Sequence, residues 1–222
     1  GLLFVFLLLT SFLHKKKSKI MQILPILIMI SGTIFYFTPE WDWFGLRTDS
    51  QAYLEPYTAS SIRTPGYPVF ISTVYKLSGN KELDDLRSED LSNPDEQLHN
   101  TNKIDSRGLI NVTRAQKIIL GLSFLVFFAV FCRYFDPLWF IFTAQIILCG
   151  GFLGVDNSYI MTECLSQAAI LLAAALFLII VKEKKTVPFL LLCIISAAGI
   201  LIRPANIFLV LLIAISLIYF IC

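Results

Sequence analysis

Two ionisable side chains stand where the surrounding chain is apolar. Glu163 lies about a turn inside a long hydrophobic run that begins at Tyr159, and Arg203 interrupts another, immediately before Pro204. A charged group in the middle of a membrane helix costs about 2.5–3.5 kcal/mol on insertion scales, so such residues are by default functional or paired. For Glu163 the alternatives are a working carboxylate, a carboxylate that snorkels to the interface, or a structural pair with Arg203. Arg203 either anchors a helix end at the interface or presents its planar, permanently charged fork to a phosphate. Further charges with the same awkward placement are Asp42, Asp49, Glu55, Arg63 and Asp156.

What must position these residues is a set of apolar segments. Of the 222 residues, 56% are hydrophobic and 15% charged, against about a quarter charged in a soluble domain. The bilayer is the expected solvent. Runs near the roughly 20 residues needed to cross it occur at 20–37, 118–132, 138–155, 159–181, 187–202 and 207–221. The predicted fold is an all-α membrane protein, a polytopic bundle of about six transmembrane helices. Lys15, Lys16, Lys17 and Lys19 precede the first span and put its start inside. Counting crossings then places the second basic cluster, Lys182, Lys184 and Lys185, inside as well, and gathers the awkward charges on the outer face. Residues 1–19 form a short apolar stretch and a basic cytoplasmic segment, 20–37 the first span, 38–113 an extracytoplasmic loop, and 114–222 the helical bundle. The chain opens on Gly with Met21 ahead of a good span, and ends inside an apolar run; both ends read as cuts in a longer protein. A net charge of +2 with scattered lysines excludes nucleic-acid binding. The five cysteines lack metal-ligand spacing and read as small buried apolar residues. No ligand cluster marks a metal site, which leaves the cofactor unknown and a divalent cation open.

The large loop has its own order. Trp41, Trp43 and Phe44 suit the headgroup level, and residues 49–57 form a short helix candidate that Pro56 ends. Arg63-Thr64-Pro65-Gly66-Tyr67-Pro68 predicts a turn that no regular helix continues through. Residues 69–77 are too short to span and read as an interfacial or re-entrant helix. The candidate catalytic segment is thus 42–77. Residues 78–113, rich in Asp, Glu, Asn, Ser and Lys, read as a solvated, partly disordered insert; the Asn111-Val112-Thr113 sequon inside it reads as a chance match.

The elements Asp49-Ser50-Gln51-Ala52-Tyr53, Arg63-Thr64-Pro65-Gly66-Tyr67-Pro68-Val69-Phe70, Ala115-Gln116, Thr162-Glu163 and Ile202-Arg203-Pro204, in this order along the spans, resemble the polytopic glycosyltransferases of the GT-C class. The likeness is to bacterial relatives of the protein O-mannosyltransferase and aminoarabinose transferase families, and covers roughly 21–221. The polar insert departs from the compact first loop of many members. The resemblance implies an inverting transfer of sugar from a polyprenyl-phosphate donor to a lipid, glycan or protein acceptor, at the outer face of the plasma (inner) membrane. It assigns Asp49 as the base that takes the acceptor's proton, a role typically contributing about 10²- to 10⁴-fold. Arg63 and Arg203 would meet the leaving phosphate, with Tyr67 and Glu163 in the donor site. As an N-cap of the loop helix, Asp49 would do nothing chemical. A transporter or flippase of lipid-linked sugars, or a noncatalytic scaffold, are the other classes; the first would show internal repeats or helices broken near mid-membrane.

Overall fold

A computed structural model of the chain describes residues 51–54, 64–78, 106–135 and 160–221. The runs at 20–37 and 138–155, and Asp42, Asp49, Glu55, Arg63 and Asp156, lie outside them. Among the described residues every regular element is helical: α1 Gln51–Leu54, α2 Gly66–Leu77, α3 Ser106–Tyr134, α4 Glu163–Glu183, α5 Thr186–Ile202, a 3-10 segment Pro204–Phe208 and α6 Leu209–Ile221. Two stretches are long and apolar enough to cross a membrane, the 24 residues Gly108–Phe131 and the 21 residues Glu163–Glu183. At about 1.5 Å per residue they reach roughly 36 and 32 Å, against a hydrocarbon core of about 30 Å. Thr186–Ile202 and Pro204–Phe220 are shorter apolar helices.

Helix α4 is the centre because its sequence lets neighbours approach. Its buried face carries Cys164, Ser166, Ala168, Ala169, Ala173 and Ala175, and small residues of this kind bring helix backbones close in an apolar solvent. On one side Leu120 of α3 packs with Cys164 and Ala168. On the other, Ala173 and Ile180 pack with Leu192 of α5 and Leu209 of α6. Gly199 of α5 sits so near that an added Cβ would come 3.2 Å from the Cβ of Ala169. Helices α3 and α4 run parallel. Cys164, at the start of α4, donates its thiol to the Gln116 carbonyl (3.3 Å), while Glu183, at its end, meets Arg133 and Tyr134 at the end of α3. Away from α4 the bundle is apolar to its surface: Val187, Leu190, Leu191, Ile194 and Leu201 are exposed along α5, and Leu211, Ile215 and Ile218 along α6. Contiguous apolar surface of this kind is uncommon on soluble monomers.

Three local expectations are corrected. Helix α2 begins at Gly66, inside the Pro-Gly-Tyr-Pro turn; Pro68 falls in its first turn, where a missing N–H breaks no helical bond. Residues 106–113, read as part of a solvated insert, are the first turns of α3, with Leu109 1% and Val112 0% exposed. These side chains close a core with Tyr67, Ile71 and Tyr75 of α2 and with Ile160 and Leu165. The sequon is therefore part of a packed helix. Glu163 opens α4 instead of lying a turn inside it, so its carboxylate faces the positive end of the helix dipole, a stabilising placement.

Candidate functional site

The α2 turn docks on the end of α5. Gly66 approaches so closely that a Cβ there would lie 2.5 Å from the Leu201 carbonyl oxygen and 2.8 Å from the Ile202 nitrogen. These are backbone atoms and cannot swing away, so a side chain at position 66 would force the two helices apart. Thr64 adds a bond from its Oγ1 to the Ile202 carbonyl, 3.2 Å, which satisfies one of the acceptors that a helix end leaves free.

The next residue is Arg203, held from both sides. Its N–H bonds the Gly199 carbonyl at 2.9 Å, and its own carbonyl accepts from the Asn206 N–H at 2.9 Å. Asn206, buried at 2% exposure, also donates its Nδ2 to the Gly199 carbonyl (2.9 Å) and accepts the Ser166 hydroxyl on its Oδ1 (2.7 Å). Pro204 starts the 3-10 segment; its ring keeps Arg203 extended (φ −146°, ψ 117°) and it has no N–H to offer, so α5 cannot continue. The result aims the Arg203 side chain at Glu163: Nη1 lies 3.1 Å from Oε1, with the side chains 41% and 25% exposed. So open a pair contributes about 0–1 kcal/mol to stability. A guanidinium has five N–H donors; Arg203 keeps donors beyond this contact for an anion on its exposed side.

Tyr67 takes a different place from the one expected of a group touching a ligand. It is fully buried, donates its hydroxyl to Gln116 Oε1 at 3.0 Å and meets the Tyr53 ring edge-on at 5.1 Å. Burial first, then the neighbouring Cys164, Tyr53 and Glu163, push its hydroxyl well above the ordinary phenol range, so it stays a donor. Tyr67 therefore ties α1, α2 and α3 together behind the Glu163–Arg203 pair. Asp49 and Arg63 lie outside the described residues; the helix that follows Asp49 and the turn that follows Arg63 both pack at this end of the bundle.

Sequence reasoning passed over Lys117, Ser166 and Asn206. Lys117 is 2% exposed, beside Gln116 on α3, and a lysine inside an otherwise apolar span is the signal that could have found it. Ser166 and Asn206 carry no comparable signal, since their pairing spans forty residues. Among the described residues no three His, Cys, Asp or Glu side chains come together as a metal site would need. No protein-family model, curated protein or solved structure matches the chain.

Proposed function

We propose that the chain is a multi-pass membrane glycosyltransferase that moves a sugar from a polyprenyl-phosphate donor to a hydroxyl on a lipid, glycan or protein, at the extracytoplasmic face of the plasma (inner) membrane. One observation carries this reading. Three stretches distant in sequence, Thr64–Tyr67, Thr162-Glu163 and Ile202-Arg203-Pro204, meet at one end of the bundle around a half-buried arginine. That end is opposite the basic turn Lys182–Lys185, which the excess of lysine and arginine in cytoplasmic loops puts inside.

On this reading the acceptor oxygen attacks the anomeric carbon from the face opposite the donor phosphate. Its proton passes to the Asp49 carboxylate, and the bond from C1 to the phosphate oxygen breaks with inversion. The electron pair leaves on the polyprenyl phosphate, where Arg203 and Arg63 offset the growing charge, the electrostatic role that usually dominates such steps. Glu163 orients Arg203, and Tyr67 works through Gln116 to hold the loop in place. The test is release of polyprenyl phosphate from radiolabelled polyprenyl-phosphate hexoses and pentoses by membranes containing the complete protein. Asp49→Asn keeps shape and capping ability but should lower transfer by about 10²-fold or more, with Asp42→Asn as the control. Full activity in Asp49→Asn would remove Asp49 from the mechanism; donor carried across the bilayer without cleavage would favour a flippase instead.

A further inference from the structure

The opposite end of the bundle has a second, separate cluster. Here α4 ends, α5 begins and α6 ends, with the end of α3 alongside. Glu183 is 15% exposed and already matched: Arg133 Nη2 lies 2.8 Å from one oxygen and Lys185 Nζ 2.6 Å from the other, and the Tyr134 hydroxyl donates to it as well. Lys182 and Lys184 are left over. Neither makes an ion pair among the described residues; each is parked over an aromatic ring, Lys182 5.3 Å from the Phe135 centroid and Lys184 4.8 Å from that of Tyr219. The rings hold the two ammonium groups at the surface without neutralising them. Lys184 adopts a left-handed conformation (φ 49°), which turns the chain within two residues. The apolar stripe of α5 then begins at Val187, 67% exposed, and continues through Leu190, Leu191 and Ile194.

From this juxtaposition of unneutralised ammonium groups and an exposed apolar stripe three residues away, we infer that the Arg133/Lys182/Lys184/Lys185 end is a binding surface for an anionic phospholipid. The headgroup phosphate lies against Lys182 and Lys184, and an acyl chain lies along α5. A soluble phosphate would use the charges but not the stripe, and a zwitterionic lipid the stripe but less of the charge. Basic residues next to a membrane surface strengthen binding to anionic lipid by roughly fivefold each.

The experiment uses the full chain in detergent, measuring lipid retention and the melting temperature with phosphatidylglycerol or phosphatidylcholine at equal mole fraction. Phosphatidylglycerol should bind at least about tenfold more tightly and raise the melting temperature, and Lys182→Gln/Lys184→Gln, which leaves the Lys185–Glu183 bridge in place, should lose roughly 20-fold of that affinity. Should the double variant fail to accumulate, salt on the unaltered protein decides, because exposed charges are screened within about 3 Å at about 1 M: the preference should largely disappear. Equal binding of the two lipids, a preference that survives the substitutions or the salt, or displacement of phosphatidylglycerol by millimolar inorganic phosphate would each overturn the assignment.

Discussion

The two ends of α4 each carry a glutamate paired with an arginine, and they are built differently. At the N-terminus, Glu163 faces the favourable end of the helix dipole and Arg203 is fixed by the buried lattice of Gly199, Asn206 and Ser166. At the C-terminus, Glu183 faces the unfavourable end, and three exposed or half-buried partners, Arg133, Lys185 and Tyr134, offset that. The first arrangement holds one side chain in one direction through interior contacts. The second gathers several cations at a surface. Rigid interior support suits a site that must meet a particular ligand geometry, whereas ammonium groups held at the surface over aromatic rings suit the charge of a headgroup more than its shape.

The comparison breaks most readily at Gly66. In Gly66→Ala the new methyl would meet the backbone of Leu201 and Ile202, and overpacking of this kind costs about 1–3 kcal/mol. The melting temperature should fall, and the Arg203 end should loosen while the basic end keeps its lipid preference. Gly199→Ala is the milder comparison: its new methyl would meet Leu209 Cδ1 at 3.1 Å and the Ala169 Cβ at 3.2 Å; the leucine end can swing, and the fixed Ala169 Cβ asks only a shift of tenths of an ångström between α4 and α5, against the 2.5 Å backbone clash at Gly66. If Gly66→Ala melted no lower than Gly199→Ala, the docking of the loop on α5 would be wrong.

A smaller effect is expected at Asn206. Asn206→Leu keeps the branched outline but is bulkier; it strips the Ser166 hydroxyl of its acceptor and the Gly199 carbonyl of one of its two donors, the Arg203 N–H remaining, at about 1–2 kcal/mol for the buried hydroxyl left unmatched, or less if the chain finds substitutes in the membrane. The diagnostic readout is Arg203. Accessibility of a cysteine introduced at position 203 to an aqueous thiol reagent should change in the Asn206→Leu background and stay the same in Ser216→Ala, whose hydroxyl bonds only within α6.

Much of the helical framework was legible because apolar runs bounded by charges or proline have a single plain reading. The run at 159–181 corresponds to α4, 187–202 to α5, and 207–221 to the end of the 3-10 segment and α6. The early start of α3 was not legible. Ser106, Arg107, Asn111, Thr113 and Arg114 make its first turns polar in composition, yet Leu109 and Val112, three residues apart, pack on α2. Hydropathy reports contact with lipid, not contact between helices. In the candidate site, the Glu163–Arg203 pair could be anticipated from two charges stranded in apolar surroundings. Its support could not, because Asn206 and Ser166 look like ordinary small polar residues until the fold brings them within 2.7 Å.

The smallest effect, and the one that separates charge from backbone at the basic end, is at Lys184. It caps α4 in the left-handed region, with its N–H on the Ile180 carbonyl, where helices commonly place glycine. A side chain there costs roughly 1 kcal/mol or somewhat more, while the contact of the ammonium with Tyr219 contributes about 0.5–1 kcal/mol. Lys184→Ala loses the contact and keeps the strain, so it should be destabilised. Lys184→Gly loses the same contact and relieves the strain, although its freer unfolded chain takes back part of the gain. Glycine should therefore melt above alanine by the equivalent of about 0.5–1 kcal/mol, with both variants losing the same share of the phosphatidylglycerol preference. An alanine variant as stable as the glycine one would mean that the turn is not left-handed at this residue. Unequal loss of lipid preference would mean that the backbone conformation, and not the ammonium group, sets the binding.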